Sequence, residues 1–317
     1  MTGVALSSET RRRLARSGAR AAVGVCTAGA LGLAYGLAEA EHRVVRTHVL
    51  EVLPPGSPGL RVLHLSDIHL LPRHRRRAAW LRRLAELEPD LVVNTGDNIG
   101  AADAIPHVLD ALGPLLERPG VFVPGSNDYY APKPANPFRY FAGPSRLDDD
   151  RPLLPTEELF GAFRAAGWAD LTDRSATVQL ALADGPLRVL AAGTDDPHLG
   201  LDHWPGFGAA VGADVPALRL GVTHAPYRRV LDAMVHDGAD LLLAGHTHGG
   251  QVCLPFVGAL VTNCDLPRSQ ASGVSTWTAD GRTVSLEVSA GIGAAPSVPV
   301  RTFCRPEAVV LDLRARP

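Results

Sequence analysis

The stretch Leu241-Leu242-Leu243-Ala244-Gly245-His246-Thr247-His248-Gly249-Gly250-Gln251 joins a short apolar run to two histidines set among glycines. A four-residue apolar run suits a strand buried on both faces. Two imidazoles two residues apart with flanking glycines have little packing value, and they suit metal ligation. The chain thus turns from core to chemistry within a few residues.

Four earlier apolar runs end in the same manner. Leu60–Ser66 stops at Asp67-Ile68-His69, and Leu91–Thr95 stops at Gly96-Asp97-Asn98. Val121–Pro124 stops at Gly125-Ser126-Asn127-Asp128, and Leu218–Thr223 stops at His224. Any of these dipeptides alone reads as a turn, and His224 alone reads as a hydrogen-bonded histidine. Five together point to one crevice, because the carboxyl ends of strands in an α/β sheet line the ligand site. Two Asp and four His exceed what one tetrahedral ion with an open position needs. They fit two divalent ions roughly 3.5–4 Å apart that share a carboxylate.

The segments between these runs alternate in period. Helical spacing marks Arg75–Glu88, with Trp80, Leu81, Leu84 and Leu87 on one face, and also Ala104–Glu117, Glu157–Ala166 and Arg228–His236. Strand patterning marks His42–Leu53, Ala176–Leu182, Leu187–Gly193 and residues 274–278, 283–289 and 308–314. Alternation of this kind predicts an α/β fold. Residues 129–155 read as a long Pro-rich loop carrying Tyr130, Lys133, Phe138, Arg139, Tyr140 and Phe141. Cations beside aromatics suit a grip on a phosphate and an apolar tail, or simple packing of the rings onto the core.

With 317 residues, 46% hydrophobic and 20% charged, the chain can bury a full core, which excludes wholesale disorder. A formal net charge of −2 excludes a nucleic-acid clamp. Cys26, Cys253, Cys264 and Cys304 lack the spacing of a zinc knuckle or a disulfide scaffold. One bridge among the last three stays open if the domain sits in an oxidising compartment.

The N-terminal region reads as a membrane segment. Residues 1–20 form a basic tail with Arg11, Arg12, Arg13, Arg16 and Arg20, and residues 21–38 carry no charge. Eighteen helical residues rise ~27 Å, close to the ~30 Å hydrocarbon core. The arginines keep the N-terminus cytoplasmic and send the rest outside, giving a single-pass protein of the cell membrane. Other readings are a signal peptide cleaved near Ala38-Glu39-Ala40, followed by export, and a buried helix of a soluble fold. Thr10-Arg11-Arg12-Arg13-Leu14 weakly resembles a twin-arginine signal. Gly32 and Gly36 have the spacing of a helix-dimer face, which suggests a homodimer. Residues 39–57 then form a connecting strand and linker, and 58–317 the catalytic domain.

In this order the motifs resemble the calcineurin-like metallophosphoesterase superfamily, whose signature runs D-x-H, G-D, G-N-H-[DE], a lone His and G-H-x-H. The ending Gly245-His246-Thr247-His248-Gly249-Gly250-Gln251 is most like its membrane-associated bacterial branch. The resemblance implies a four-layer α-β-β-α sandwich of two mixed sheets flanked by helices. It implies that Asp67, His69 and His248 hold one metal, that Asp97 bridges, and that His224 and His246 hold the other. It also implies that water between the ions attacks phosphorus. Manganese is the first expectation for both ions, with iron, zinc or magnesium as alternatives. The substrate would be a phosphate ester, a diester more readily than a monoester, and lipid- or nucleotide-linked.

The third motif departs from the signature. Aligned without a gap, Ser126 replaces the metal-binding Asn and Asn127 replaces the His that assists the leaving group. A neutral hydroxyl is a poor ligand, so Asn127 is expected to turn its amide oxygen to the second ion. The leaving group then departs unaided or takes a proton from another residue. Candidates are Asp128, Tyr129, Tyr130 and His198 of Asp195-Asp196-Pro197-His198. Two further readings stay open, a degenerate metal-dependent binding or regulatory protein at the membrane and, less well matched, a metal-dependent amidase.

Overall fold

The computed structural model describes residues 8–133, 151–208, 217–294 and 298–317. Its strands are β1 (Val44–Leu53), β2 (Leu60–Leu65), β3 (Leu91–Asn94), β4 (Gly120–Phe122), β5 (Ala169–Asp170), β6 (Arg174–Leu182) and β7 (Gly185–Gly193). They continue as β8 (Ala217–Thr223), β9 (Leu241–Ala244), β10 (Cys253–Leu254), β11 (Gly258–Ala259), β12 (Gly273–Ala279), β13 (Arg282–Val288) and β14 (Glu307–Ala315). The helices are α1 (Ser8–Glu41), α2 (Arg75–Arg83), α3 (Ile105–Leu116), α4 (Ser126–Tyr129), α5 (Thr156–Ala165) and α6 (Arg228–His236).

Two six-stranded sheets carry the domain, in the orders β1-β14-β2-β3-β4-β5 and β12-β13-β9-β8-β7-β6. In the first, β2 to β5 run parallel while β14 lies antiparallel to β2. In the second, β7, β8, β9 and β13 run parallel, with antiparallel strands at both edges. Both sheets are mixed, as expected.

Side-chain alternation builds the layers. Successive residues of a strand point to opposite faces. Val62, Val93, Val121 and Leu311 of the first sheet pack against Val189, Leu220, Val222 and Leu243 of the second. On the far face of the first sheet, Leu63, Leu65, Val92 and Phe122 meet Leu81 of α2, Val108 and Leu112 of α3, and Leu159 and Phe163 of α5. On the far face of the second, Leu242, Ala244, Leu286 and Val288 meet Val230, Leu231 and Met234 of α6. The result is the four-layer α-β-β-α sandwich. Strands β3 and β9 are buried throughout, because each is covered on both faces.

Local differences from the sequence reading have local causes. The helix expected over Arg75–Glu88 ends at Arg83 and tightens into a 3-10 turn over Leu84–Leu87. Glu88, in the left-handed region at φ +48° and followed by Pro89, ends it. The segment read as a connector supplies β1, which pairs in parallel with β14. A short helix, α4, ends at Tyr129 where the long loop begins, and Tyr130 makes an isolated bridge to Leu153. Phe138, Arg139, Tyr140 and Phe141 lie outside the described residues.

Helix α1 runs to Glu41, and its stretch Ala22–Glu41 is long and apolar enough to cross a membrane. Its apolar side chains are outside the core: Val25 is 73% exposed and Leu31 67%. A helix of a soluble core would bury such groups. The expected dimer face does not stand free. A Cβ on Gly36 would meet Val300 Cβ at 3.1 Å, and the Gly36 carbonyl accepts the Arg301 N–H at 3.0 Å. The chain's own residues 300–302 cover that glycine, so the structure gives the homodimer no support.

Candidate metal centre

Every expected ligand follows a strand. Asp67 and His69 follow β2, Asp97 follows β3, Asn127 follows β4, His224 follows β8, and His246 and His248 follow β9. The site therefore spans both sheets at their carboxyl ends. The backbone there is unusual. Asp67, His69, Asp97, His246 and His248 all have positive φ, between +42° and +68°. Each such residue costs on the order of 1–3 kcal/mol and persists only where its surroundings enforce it.

The enforcement is visible in hydrogen bonds between the turns. Asp67 N donates to Gly96 O at 2.9 Å, His69 N to Asp97 O at 2.9 Å, Gly245 N to His224 O at 2.8 Å, and Gly293 N to Asp67 O at 2.7 Å. Two glycines allow the turns to close. A Cβ on Gly125 would sit 2.3 Å from Asp97 Oδ1, and one on Gly245 would sit 1.8 Å from Ser66 Oγ. Any other residue would push a carboxylate out of place.

The donor atoms converge in two groups, Asp67-His69-His248 and Asp67-Asp97-His224, each with its atoms within 4.8 Å of one another. Asp67 is common to both groups, and Asp97 Oδ2 of the second lies 3.5 Å from His69 Nε2 of the first and 3.7 Å from His224 Nε2. Asp67 Oδ1 is 3.4 Å from His248 Nε2. Pairs of imidazole nitrogens face each other: His69 and His248 through their Nε2 atoms at 3.3 Å, and His246 Nδ1 and His224 Nε2 at 3.3 Å. His246 joins the cluster through His224, and its Nε2 meets Asn263 at 3.2 Å.

This donor set fits divalent cations. Asp67 Oδ1 is buried with no hydrogen-bond partner, although a buried carboxylate oxygen needs one. Burial holds His246 and His248 well below the ordinary imidazole pKa, so both are neutral, the form in which an imidazole can ligate a cation. Burial also lowers His69, against the pull of Asp97 and Asp67. Burial opposes ionisation of Asp97, but His224 and His69 outweigh it and bring its pKa down to about 2. His224 moves the other way. Burial disfavours its charge, yet Asp97, Asp196 and Asp67 raise it to about 9 in the absence of a cation. Its Nδ1 faces the Thr95 carbonyl at 2.6 Å, which fixes the proton there and leaves Nε2 for a cation.

The remaining candidates occupy distinct places. Asn127 grips Asp97 twice, through its backbone N to Oδ1 at 2.7 Å and its amide Nδ2 to Oδ2 at 2.6 Å. A half-turn of that amide would present Oδ1 at the same spot. Asp128 lies behind the site, fully buried. Its carboxylate accepts the backbone N–H groups of Asp97 at 2.8 Å, Asn98 at 2.7 Å and Gly125 at 3.0 Å. It thereby orients the turn that carries Asp97. Burial and the neighbouring Asp97 charge push its pKa up to about 7. The Tyr129 hydroxyl donates to Asp195 at 2.9 Å, and the Tyr130 ring lies under Arg151 at 5.0 Å. The His198 ring lies 4.6 Å from that of His246, tilted by 43°, and its Nδ1 meets the Tyr227 hydroxyl at 3.1 Å. Burial lowers His198 to about 4.

Several supporting residues escaped the sequence reading. Arg301 is fully buried and reaches His248 Nδ1 at 3.1 Å, His248 O at 3.1 Å and Ala290 O at 2.6 Å. Arg77 of α2 donates to Ile68 O and His69 O, each at 2.8 Å. His64 of the first sheet pairs with Glu287 of the second at 2.5 Å and with Thr95 Oγ1 at 2.9 Å. Nothing local in the sequence separates Arg301 or Arg77 from the other arginines. The Cys253 thiol donates to Gly249 O at 3.2 Å and the Cys304 thiol to His248 O at 3.3 Å.

Comparison with known proteins agrees with this geometry. A relative from Bacillus subtilis (strain 168), the uncharacterized metallophosphoesterase YkuE, is 26% identical over 92% of this chain and 94% of its own length. The uncharacterized protein YpbG of the same organism is 25% identical over 90% of this chain and 97% of its own. A transmembrane protein with metallophosphoesterase domain from Bos taurus is 28% identical over 67% of this chain, which spans 45% of that protein's length. The family model for calcineurin-like phosphoesterases matches residues 60–250, from the start of β2 through His248, and the chain belongs to that family of metal-dependent phosphoesterases.

Proposed function

We propose that this chain is a membrane-anchored phosphodiesterase that works with two divalent ions. The observation that carries the reading is Asp97 Oδ2, a buried carboxylate oxygen lying between His69 Nε2 and His224 Nε2. One oxygen placed between two imidazole sets is what a shared ligand of two cations requires. Asp67, His69 and His248 would hold the first ion. His224, His246 and Asn127 would hold the second. Ions bound there would polarise phosphoryl oxygens and provide hydroxide at neutral pH. Manganese suits a set that mixes carboxylate, amide and imidazole.

The protein's own groups do the rest. Asp128 positions the Asp97 turn and takes no part in proton transfer, because backbone donors occupy its oxygens. His198 stands beside His246 and is held by Tyr227, and it would face the leaving group at the second ion. Burial keeps it neutral at pH 7, so it offers a hydrogen bond and not a strong acid. Substrates with a good leaving group are favoured accordingly. The exposed apolar length of α1 holds the domain at a bilayer, outside the cytoplasm by the excess of arginine before it.

The test is turnover of bis(p-nitrophenyl) phosphate with added Mn²⁺ by wild type, Asp97→Asn and His246→Ala. Metal-dependent turnover lost in both variants supports the enzyme. Turnover indifferent to both sinks it and leaves a metal-binding scaffold at the membrane. A periplasmic-type reporter fused after residue 317 checks the orientation, and activity confined to the cytoplasm overturns it.

A further inference from the structure

The hairpin β10–β11 leaves Leu254-Pro255-Phe256-Val257 outside the fold. Phe256 is wholly exposed, Val257 is 65% exposed and Leu254 46%. Phe256 also sits at φ +63°, an outlier for a bulky residue. Four consecutive exposed apolar residues, one of them strained, are a liability on a water-facing surface and mark a contact with something apolar.

The hairpin is tied to α1 by short links. Cys253 N donates to Thr302 O at 2.9 Å, Thr302 Oγ1 donates to Cys253 O at 2.9 Å, and Thr302 N donates to Gln251 O at 3.0 Å. The next residues reach the helix. Arg301 N donates to Gly36 O at 3.0 Å, and the Phe303 ring lies 5.4 Å from the Tyr35 ring. Phe303 is itself 57% exposed. The hairpin and Phe303 therefore flank α1 at the level of Tyr35 and Gly36, inside the apolar stretch Ala22–Glu41.

Charge follows one step further out. Glu41, the end of that stretch, lines a cavity with Arg73, His74, Arg75, Arg76 and Arg77. Arg73, Arg75 and Arg76 are exposed. Glu41 lies five positions beyond Gly36, a rise of roughly 7.5 Å at ~1.5 Å per residue. Interfacial elements bury their apolar side ~5–10 Å into the headgroup boundary, with cations at the surface. Apolar groups at the depth of Gly36 and arginines at the depth of Glu41 match that profile.

We propose that Leu254-Pro255-Phe256-Val257 and Phe303 enter the leaflet beside α1, with Arg73, Arg75 and Arg76 against anionic phosphate headgroups. The occupant of this face is an anionic lipid bilayer. The inference rests on the reading of α1 as a membrane anchor. It also deepens that reading, because the hairpin begins only two residues after Gln251 of the His246–Gln251 turn. A domain held at three points has a fixed tilt, and its metal centre meets phosphodiesters carried by the same leaflet.

The experiment uses the full chain in vesicles of phosphatidylcholine and phosphatidylglycerol with brominated acyl chains. The tryptophan emission of F256W minus that of wild type reports the hairpin tip. The expected result is emission shifted to the blue and quenched by the brominated chains. Replacing Arg73, Arg75 and Arg76 by Ala in F256W should reduce that quenching in the mixed vesicles and leave it unchanged in phosphatidylcholine alone. Emission at the wavelength of water-exposed tryptophan, quenched by iodide and not by bromine, overturns the proposal. Equal quenching with and without the three arginines overturns the headgroup part. Extraction at alkaline pH reads α1 separately. Release of the wild-type protein would remove the anchor while the quenching still decides the hairpin.

Discussion

The two halves of the metal centre are built differently. Around Asp67, His69 and His248, two buried arginines brace the turns, Arg77 from α2 and Arg301 from the segment before β14. Around His224 and His246 the outer partners are neutral, the Thr95 carbonyl and Asn263, while Asn127 grips the Asp97 carboxylate. A guanidinium with several donors in a fixed fork holds a loop more firmly than one amide does. The first half is braced by guanidinium groups, and the second by carbonyl, amide and carboxylate groups. The difference teaches that the departure at Ser126-Asn127 falls in the half that has no arginine brace, where the Asp128 carboxylate holds the turn instead.

The most severe disruption removes what the halves share. Asp97→Asn should lower turnover by ~10³-fold or more, because in the proposed centre one oxygen would serve both positions. Steady-state kinetics on bis(p-nitrophenyl) phosphate measure it, and a loss below tenfold would detach Asp97 from the bridge. Next, Arg301→Gln should weaken the tighter ion by roughly 10–100-fold, the usual effect of losing an outer partner. Calorimetric titration with Mn²⁺ reads it, and a change confined to the weaker ion would reverse the contrast. Third, Asn127→Ala should weaken the second ion about tenfold and more than Ser126→Ala does. The opposite ranking returns the ligand role to Ser126.

The smallest effect lies in the brace itself. His74 precedes α2, and its Nδ1 accepts the Leu71 N–H at 3.2 Å. Burial, with Arg77 and Arg73 nearby, depresses its pKa to about 4. The unfolded chain takes up the proton at an ordinary imidazole pKa of ~6.5, before the folded one does. Stability therefore falls as pH drops from ~6.5 towards 4. The melting temperature of His74→Gln should show a shallower fall across that window, and an identical slope would remove His74 from the effect.

Much of this was legible because the apolar runs are short and end abruptly. Residues Leu241–Ala244 and Arg228–His236 have the same bounds in the sequence reading and in the fold, since a glycine or a change of period marks each end. The six Asp and His of the site announced themselves by following strands. What stayed hidden is long-range. Arg301 meets His248 across 53 positions, and Asp128 meets Asn98 across 30. A proposed proton donor and a loop brace look alike until the donors around the carboxylate are seen. Strand β5 is two residues long and has no pattern to detect. The strands of the hairpin 253–259 are likewise two residues long, too short to show a period.

The left-handed backbone at Asp67, His69, Asp97, His246 and His248 sets a direction for the drift of this sequence. Asp, Asn and His tolerate that conformation better than other side chains, and glycine accepts it freely. Chemistry and conformation thus select the same few residue types. A chain released from its catalytic duty would gain robustness by exchanging these aspartates for asparagine or glycine. Descendants that keep the shape and lose the reaction are therefore a downhill outcome for this architecture.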